Sequence, residues 1–126
     1  MTQAPVLASD RDAIERVIET YIGGGRSGKS SDMKPAFHEN AIIHGYLGPD
    51  LIAGSIQVLY DWIDENAPAT ELKADVAAVD VCETIATARV ECRNWGGHRF
   101  TDMFTLLKTG GKWQIVSKVF YLHPEE

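Results

Sequence analysis

A chain of 126 residues has room for one domain, since a domain spans roughly 150 residues, and its 44% hydrophobic and 9% aromatic content excludes disorder over most of its length. With 18 Asp and Glu against 12 Lys and Arg, the net charge of −6 opposes binding to nucleic-acid backbones and to anionic membranes. No apolar run approaches a membrane span, and residues 1–10 lack the basic start and apolar middle of a secretory signal, so a cytoplasmic location is expected. The domain is expected to fill residues 1–126, with residues 1–8 as a flexible N-terminal segment.

Ser9 followed by Asp12 has the form of a capping box, and Ile14, Val17, Ile18, Tyr21 and Ile22 recur at helical spacing. This predicts an amphipathic helix ending at Gly23-Gly24-Gly25, where glycines permit a left-handed cap. Ser31 and Asp32 are placed to cap a short second helix, with Met33 and Phe37 on its buried face and Pro35 in its first turn. Residues 41–46 read as a strand ended by Gly48, Pro49 and Asp50, and residues 51–53 as a brief pairing partner. Ser55 then caps a third helix, whose face is Ile56, Leu59, Tyr60 and Ile63 and which Pro68 closes.

From Leu72 onward the apolar period changes from 3.6 to 2, which predicts an antiparallel meander. Ala77, Val79 and Val81 alternate on one strand; Ala86, Ala88, Val90 and Cys92 alternate on the next. A turn at Glu83 and Thr84 joins them. Cys82 and Cys92 read as small core residues, several residue pairs apart in that hairpin and too distant for a disulfide. Trp95, Gly96, Gly97 and His98 form the next turn, followed by Phe100, Asp102, Phe104 and Leu106 on one face. Gly110-Gly111 suits a two-residue hairpin. In that register Leu106 lies opposite Ile115, Phe104 opposite Ser117 and Asp102 opposite Val119, so Trp113, Ile115, Val119 and Tyr121 share the face of Asp102. The other face carries Met103, Leu107, Val116, Phe120 and Leu122, too apolar for water. Helices can cover only one side of the sheet, which predicts a two-fold homodimer through the outer sheet face; a sheet that bends over itself is the alternative.

The order helix, helix, strand, helix and long meander resembles the nuclear transport factor 2-like superfamily over nearly the whole chain. The segments that carry the resemblance are FHENAIIHGYLG at 37–48, FTDMFTLLK at 100–108 and GGKWQIVSKVF at 110–120, which look most like the branch named putative lumazine-binding. SnoaL-type polyketide cyclases and ketosteroid isomerase are similar in fold. The resemblance implies a cone-shaped α+β fold, with three N-terminal helices packed on a strongly bent antiparallel sheet, and dimerisation through that sheet. Steroid isomerases of this fold use a tyrosine on the first helix and a protonated aspartic acid on a late strand as an oxyanion hole, with a second carboxylate as base. By motif position Tyr21 matches the tyrosine and Asp102 the acid. Gly45 stands where the base belongs, and neighbouring His44 is the substitute, although strand alternation sends His44 and Gly45 to opposite faces.

Several motifs are open to a plainer reading. Residues 23–30 satisfy GxxxxGK[ST], the phosphate-loop pattern, but follow a helix rather than a strand, so a helix cap and loop is preferred. Asp102 between Phe100 and Phe104 is either a proton donor created by desolvation or a carboxylate that hydrogen-bonds Tyr21 and holds the sheet in register. Trp62, Trp95, Phe100 and Tyr121 make an aromatic wall for a planar ligand, or simply core. Ser117 faces inward without an adjacent base. His38, His44, His98 and His123 lack metal-pair spacing, and no metal or cofactor is expected; His98 and His123 are expected at the surface.

The leading expectation is a dimeric protein that binds a small apolar or aromatic ligand between sheet and helices, with Tyr21, Trp62, Phe100, Asp102, Phe104, Ser117 and Tyr121 as ligand-binding residues. An isomerase, dehydratase or cyclase acting through an enolate, with Tyr21, Asp102 and His44 as catalytic residues, is the rival. A protein-interaction module is the third reading.

Overall fold

The computed structural model of the protein describes residues 8–124. Helix α1 (Ala8–Ser27) and helix α2 (Ser30–Met33) are followed by a 3-10 turn (Lys34–Ala36), strands β1 (Phe37–Leu47) and β2 (Asp50–Ser55), and helix α3 (Gln57–Glu65). The meander is β3 (Lys73–Cys82), β4 (Ile85–Trp95), β5 (His98–Thr109) and β6 (Lys112–Leu122). The strands form one curved open sheet ordered β2-β1-β6-β5-β4-β3. β1 runs parallel to β6, and every other neighbour is antiparallel. The helices cover the inner face, and the core lies between them, from Ile14, Ile18 and Ile22 of α1 to Val90, Phe104, Leu106 and Ile115 of the sheet. The α+β class, with three helices on one face of a curved sheet, is as expected, while the parallel β1–β6 pair departs from the antiparallel sheet that the resemblance implies. Among the described residues no helix is long and apolar enough to cross a membrane.

Several local expectations are corrected. Helix α1 already contains Ala8, so Ser9 is within the helix and not its cap; the rest of the expected flexible segment lies outside the described residues. α1 also runs through its three glycines. A Cβ on Gly24 would stand 2.4 Å from Met33 Cβ, and one on Gly25 would stand 2.8 Å from the Trp95 ring. These glycines therefore serve close approach of α1 to α2 and to the sheet. The cap is Gly28, at φ +71, whose N–H donates to the Gly24 carbonyl at 3.0 Å. Next to it the Ser30 N–H and hydroxyl donate to the Asp64 carboxylate at 2.8 and 2.7 Å. The phosphate-loop look-alike is thus a helix end followed by a turn tied to α3.

α2 begins after Lys29 without a side-chain cap, so Ser31 and Asp32 lie inside it, and Pro35 sits in the following 3-10 turn. Ser55 ends β2, and α3 follows Ile56, again with no side-chain cap. β1 starts four residues earlier than predicted, at Phe37, and β2 spans Asp50–Ser55.

The largest corrections come from bulges, where one extra residue reverses all later alternation. In β3 the pairing shifts between Val76 and Ala78, so Ala77 is exposed while Val79 and Val81 stay half-buried. In β4–β5 it shifts between Cys92 and Trp95, with Asn94 at φ 60, and Trp95 turns inward. In β5–β6 Leu106 pairs Ile115 as predicted, but Thr105 pairs Ser117, Phe104 pairs Lys118 and Asp102 pairs Phe120. Val116 is the extra residue. Lys118 and Phe120 consequently face the core with Asp102, and Val119 and Tyr121 face outward at 49% and 58% exposure. The outer face is apolar, as the sequence implies, but its exposed members are Ile42, Tyr46, Met103, Val119 and Tyr121. Cys82 is exposed rather than core, Cys92 is buried, and the two are not joined.

Candidate functional site

Residues from α1, β5 and β6 meet in the sheet concavity. The stripe of α1 delivers Tyr21, the inward alternation of β5 delivers Asp102, and the β6 bulge delivers Lys118; Tyr21 and Asp102 have no exposure and Lys118 retains 5%. The Tyr21 hydroxyl donates to Asp102 Oδ2 at 2.7 Å, and Lys118 Nζ donates to the Tyr21 hydroxyl at 2.8 Å. Nζ also stands 3.7 Å from Asp102 Oδ1. The Cys92 thiol donates to Oδ2 at 3.6 Å. Three rings face the amine, those of Tyr21, Phe120 and Trp95, at 4.9, 5.4 and 5.5 Å, an arrangement that favours a cation. Burial, and then the neighbouring Asp102 carboxylate, hold the Tyr21 phenol well above its ordinary range. The same two causes push the Cys92 thiol up. Both groups therefore keep their protons at neutral pH and act as hydrogen-bond donors.

An apolar cavity of about 70 Å³ opens above this cluster. Trp62 and Leu59 of α3, Trp95, Phe100 and Phe120 of the sheet, and Ile43 of β1 form much of its wall, and among the described residues Lys118 is its one charged lining residue. The rings form a continuous row, tilted from Trp62 to Trp95 (6.4 Å) and edge-on from Trp95 to Phe100 (6.1 Å) and Phe100 to Phe120 (6.1 Å). Such a site places one cationic hydrogen-bond donor at the end of a dry, aromatic pocket, where charge interactions are least screened.

The sequence expectations for this site divide cleanly. Tyr21 and Asp102 are brought together, but behind Lys118 and not on the cavity wall. Asp102 accepts the Tyr21 proton in this geometry rather than donating one. Trp62 and Phe100 line the cavity. Phe104 is buried beneath it, edge-on to Tyr21 at 5.3 Å. Ser117, predicted inward, pairs with Thr105 and Ile42 on the outer side, and Tyr121 is outward too, both displaced by the β6 bulge. His44 is exposed on the outer face beside Val119, so it has no access to Tyr21 or Asp102. A carboxylate at position 45 has no space either, because a Cβ there would lie 2.5 Å from the Phe120 ring. The proton-abstracting base of the steroid-isomerase arrangement is thus absent from its place. His98 is exposed, whereas His123, expected at the surface, is half-buried with its Nε2 2.8 Å from the Thr101 hydroxyl.

Lys118 is the cavity-lining residue that reasoning from strand alternation misses. The only hint in the sequence is a lysine followed by Val119 and Phe120 in GGKWQIVSKVF, which does not by itself say where the bulge falls.

Comparison with known proteins agrees with this architecture. A family model described as Putative lumazine-binding matches residues 9–121. A solved nuclear transport factor 2-like protein of unknown function from Methylobacillus flagellatus KT is 41% identical, covers 98% of this chain and 100% of its own, and superposes with a TM-score of 0.93. A protein named aldolase FrzH from Cladobotryum sp is 31% identical over 120 residues, which are 94% of this chain and 96% of that protein. A ketosteroid isomerase-like structure from Erwinia carotovora atroseptica SCRI1043, at 13% identity and a TM-score of 0.71 over 94% of this chain and 100% of its own, shares the fold.

Proposed function

The chain belongs to the Putative lumazine-binding family, and from that membership and its buried lysine we propose that it is an enzyme that makes or breaks a carbon–carbon bond beside a carbonyl group. The carrying observation is Lys118, among the described residues the one charged side chain on an otherwise apolar cavity wall. When a bond at the carbon next to a carbonyl breaks, negative charge develops on the carbonyl oxygen, and stabilising it requires a cation or donor already in place in a dry site. Lys118 meets that need, and Tyr21 and Asp102 hold its amine in position. The name of the Cladobotryum relative, an aldolase similar over 94% of this chain, supports this class. The aromatic wall selects an apolar substrate with few polar atoms.

The test is retro-aldol cleavage of 4-hydroxy-4-phenylbutan-2-one to benzaldehyde and acetone, followed by benzaldehyde absorbance. The expected result is release above the buffer rate that is lost in Lys118→Met. No release from this and other small β-hydroxy ketones would return the protein to the passive binding of an apolar ligand.

We infer also that two copies pair through the outer sheet face. Ile42, Tyr46, Met103, Val119 and Tyr121 are exposed there, joined across strands through the pairs Met103–Val119 and Tyr46–Tyr121. A contiguous apolar surface of this kind is uncommon on a monomer.

A further inference from the structure

A buried lysine is ordinarily held directly by a carboxylate. Here Asp102 Oδ1 stands 3.7 Å from Nζ, beyond hydrogen-bond length, and the acceptor of the Nζ proton is the Tyr21 hydroxyl at 2.8 Å. That hydroxyl donates in turn to Asp102 Oδ2 at 2.7 Å. A proton can therefore leave the amine along two existing hydrogen bonds and come to rest on a carboxylate with no solvent exposure. Asp102 Oδ1 accepts no hydrogen bond among the described residues, so the carboxylate has an open site. At the same time the Trp95 and Phe120 rings, 5.5 and 5.4 Å from Nζ, are part of the cavity wall. The amine is thus at the inner end of the cavity, with a proton relay behind it and an apolar space in front.

The geometry points to Lys118 as an amine nucleophile that holds a ketone or aldehyde covalently, as an iminium, within the cavity. This rests on the carbon–carbon reading of the site and gives Lys118 a covalent role in place of charge stabilisation at the carbonyl oxygen. The Lys118 ammonium first passes a proton through Tyr21 to Asp102. The freed lone pair of Nζ forms a bond to the carbonyl carbon as the C=O π pair moves onto oxygen. One proton then shifts from nitrogen to that oxygen, giving a neutral carbinolamine. Asp102 returns its proton through Tyr21 to the hydroxyl, the C–O bond breaks, water leaves, and the nitrogen lone pair completes the C=N bond. Ammonium and carbonyl have become iminium and water; net charge is unchanged and Asp102 is again a carboxylate. The iminium draws electrons from the neighbouring carbon, which is what carbon–carbon bond cleavage or formation there requires. Lys118 is the catalytic residue of this step, and Tyr21 and Asp102 move the protons.

Wild-type protein is equilibrated with acetone, reduced briefly with borohydride, digested and mapped by mass spectrometry. An isopropyl group on Lys118, formed roughly tenfold or more faster than on the exposed Lys29, Lys34, Lys73 and Lys112, is the expected result. Label confined to the exposed lysines overturns the proposal. Lys118→Arg, checked for native circular dichroism, keeps a cation but has no amine for an iminium. It is expected to lose roughly a hundredfold or more of the retro-aldol rate, and retention of the rate overturns the covalent step. Retro-aldol turnover without label on Lys118 defeats the amine and leaves the carbon–carbon reading standing. Label on Lys118 without turnover supports the amine and counts against that reading, and the absence of both overturns both.

Discussion

At the scale of the residue, Lys118 and Asp102 form an opposite-charge pair in a region closed to water, at 3.7 Å with the Tyr21 hydroxyl between them. Removing one member of such a pair leaves a buried charge alone, which costs about 3–5 kcal/mol. Lys118→Met is accordingly expected to lower the unfolding free energy by about that amount, and Asp102→Asn added to it is expected to recover most of the loss. Urea titrations of the wild type, the single and the double variant check this. A double variant as unstable as the sum of its parts would show that the two side chains are not coupled. Legibility at this scale depended on which element carried the residue. Tyr21 and Asp102 could be read because each lies within a regular stretch, Tyr21 on a helical stripe and Asp102 on the run in which Phe100, Asp102, Phe104 and Leu106 all face inward. Lys118 could not, because its orientation follows from a bulge two residues earlier, and nothing in the residues 115–118 themselves marks where the extra residue goes.

At the scale of the element, side-chain contacts between elements do what local caps were expected to do. Asp64 of α3 accepts the Ser30 N–H and hydroxyl at the start of α2, and Asp10 of α1 accepts from Trp113 and Lys108 of the β5–β6 hairpin, each at 3.1 Å. The Ser30 backbone N–H, then its hydroxyl, hold the Asp64 carboxyl below its ordinary value of 3.8. Because the folded value is the lower one, the stabilisation is complete above the ordinary value and is lost as pH falls through the folded value. The melting temperature of the wild type should therefore fall more steeply on acidification below about pH 4 than that of Asp64→Asn. Calorimetry across that range decides it, and parallel curves would contradict the tie. The glycines of α1 make the same point from the other side. Three in a row read as a stop signal, yet the helix continues, because Gly24 and Gly25 let Met33, Leu72 and Trp95 approach the backbone. A glycine that ends a helix and one that admits a neighbour are the same letter until the neighbour is known.

At the scale of the whole molecule, the inner face of the sheet is filled by helices and the outer face is left apolar. Exposed Met103, Val119 and Tyr121 lie on adjacent central strands, and a stable pair of copies needs about 800 Å² from each partner. Sedimentation at micromolar concentration is expected to give a dimer, and Val119→Arg a monomer with unchanged circular dichroism. A monomeric wild type would rule out the pairing.

What the sequence determined by itself was the class and order of the elements, the amphipathic stripe of α1, the hairpin turns at residues 83–84, 96–97 and 110–111, and the presence of apolar residues on both sheet faces. These follow from periodicity and turn chemistry, which act over a few residues. Only the tertiary structure decided which residues face the cavity, because each bulge is placed by the partner strand and reverses everything after it. In β4 that reversal turns Trp95 inward; in β6 it exchanges Val119 and Tyr121 for Lys118 and Phe120. The same packing closes position 45 with the Phe120 ring and sets His44 on the far side of the sheet. The titratable group at the cavity is thus the Lys118 amine of β6 and not a base on β1.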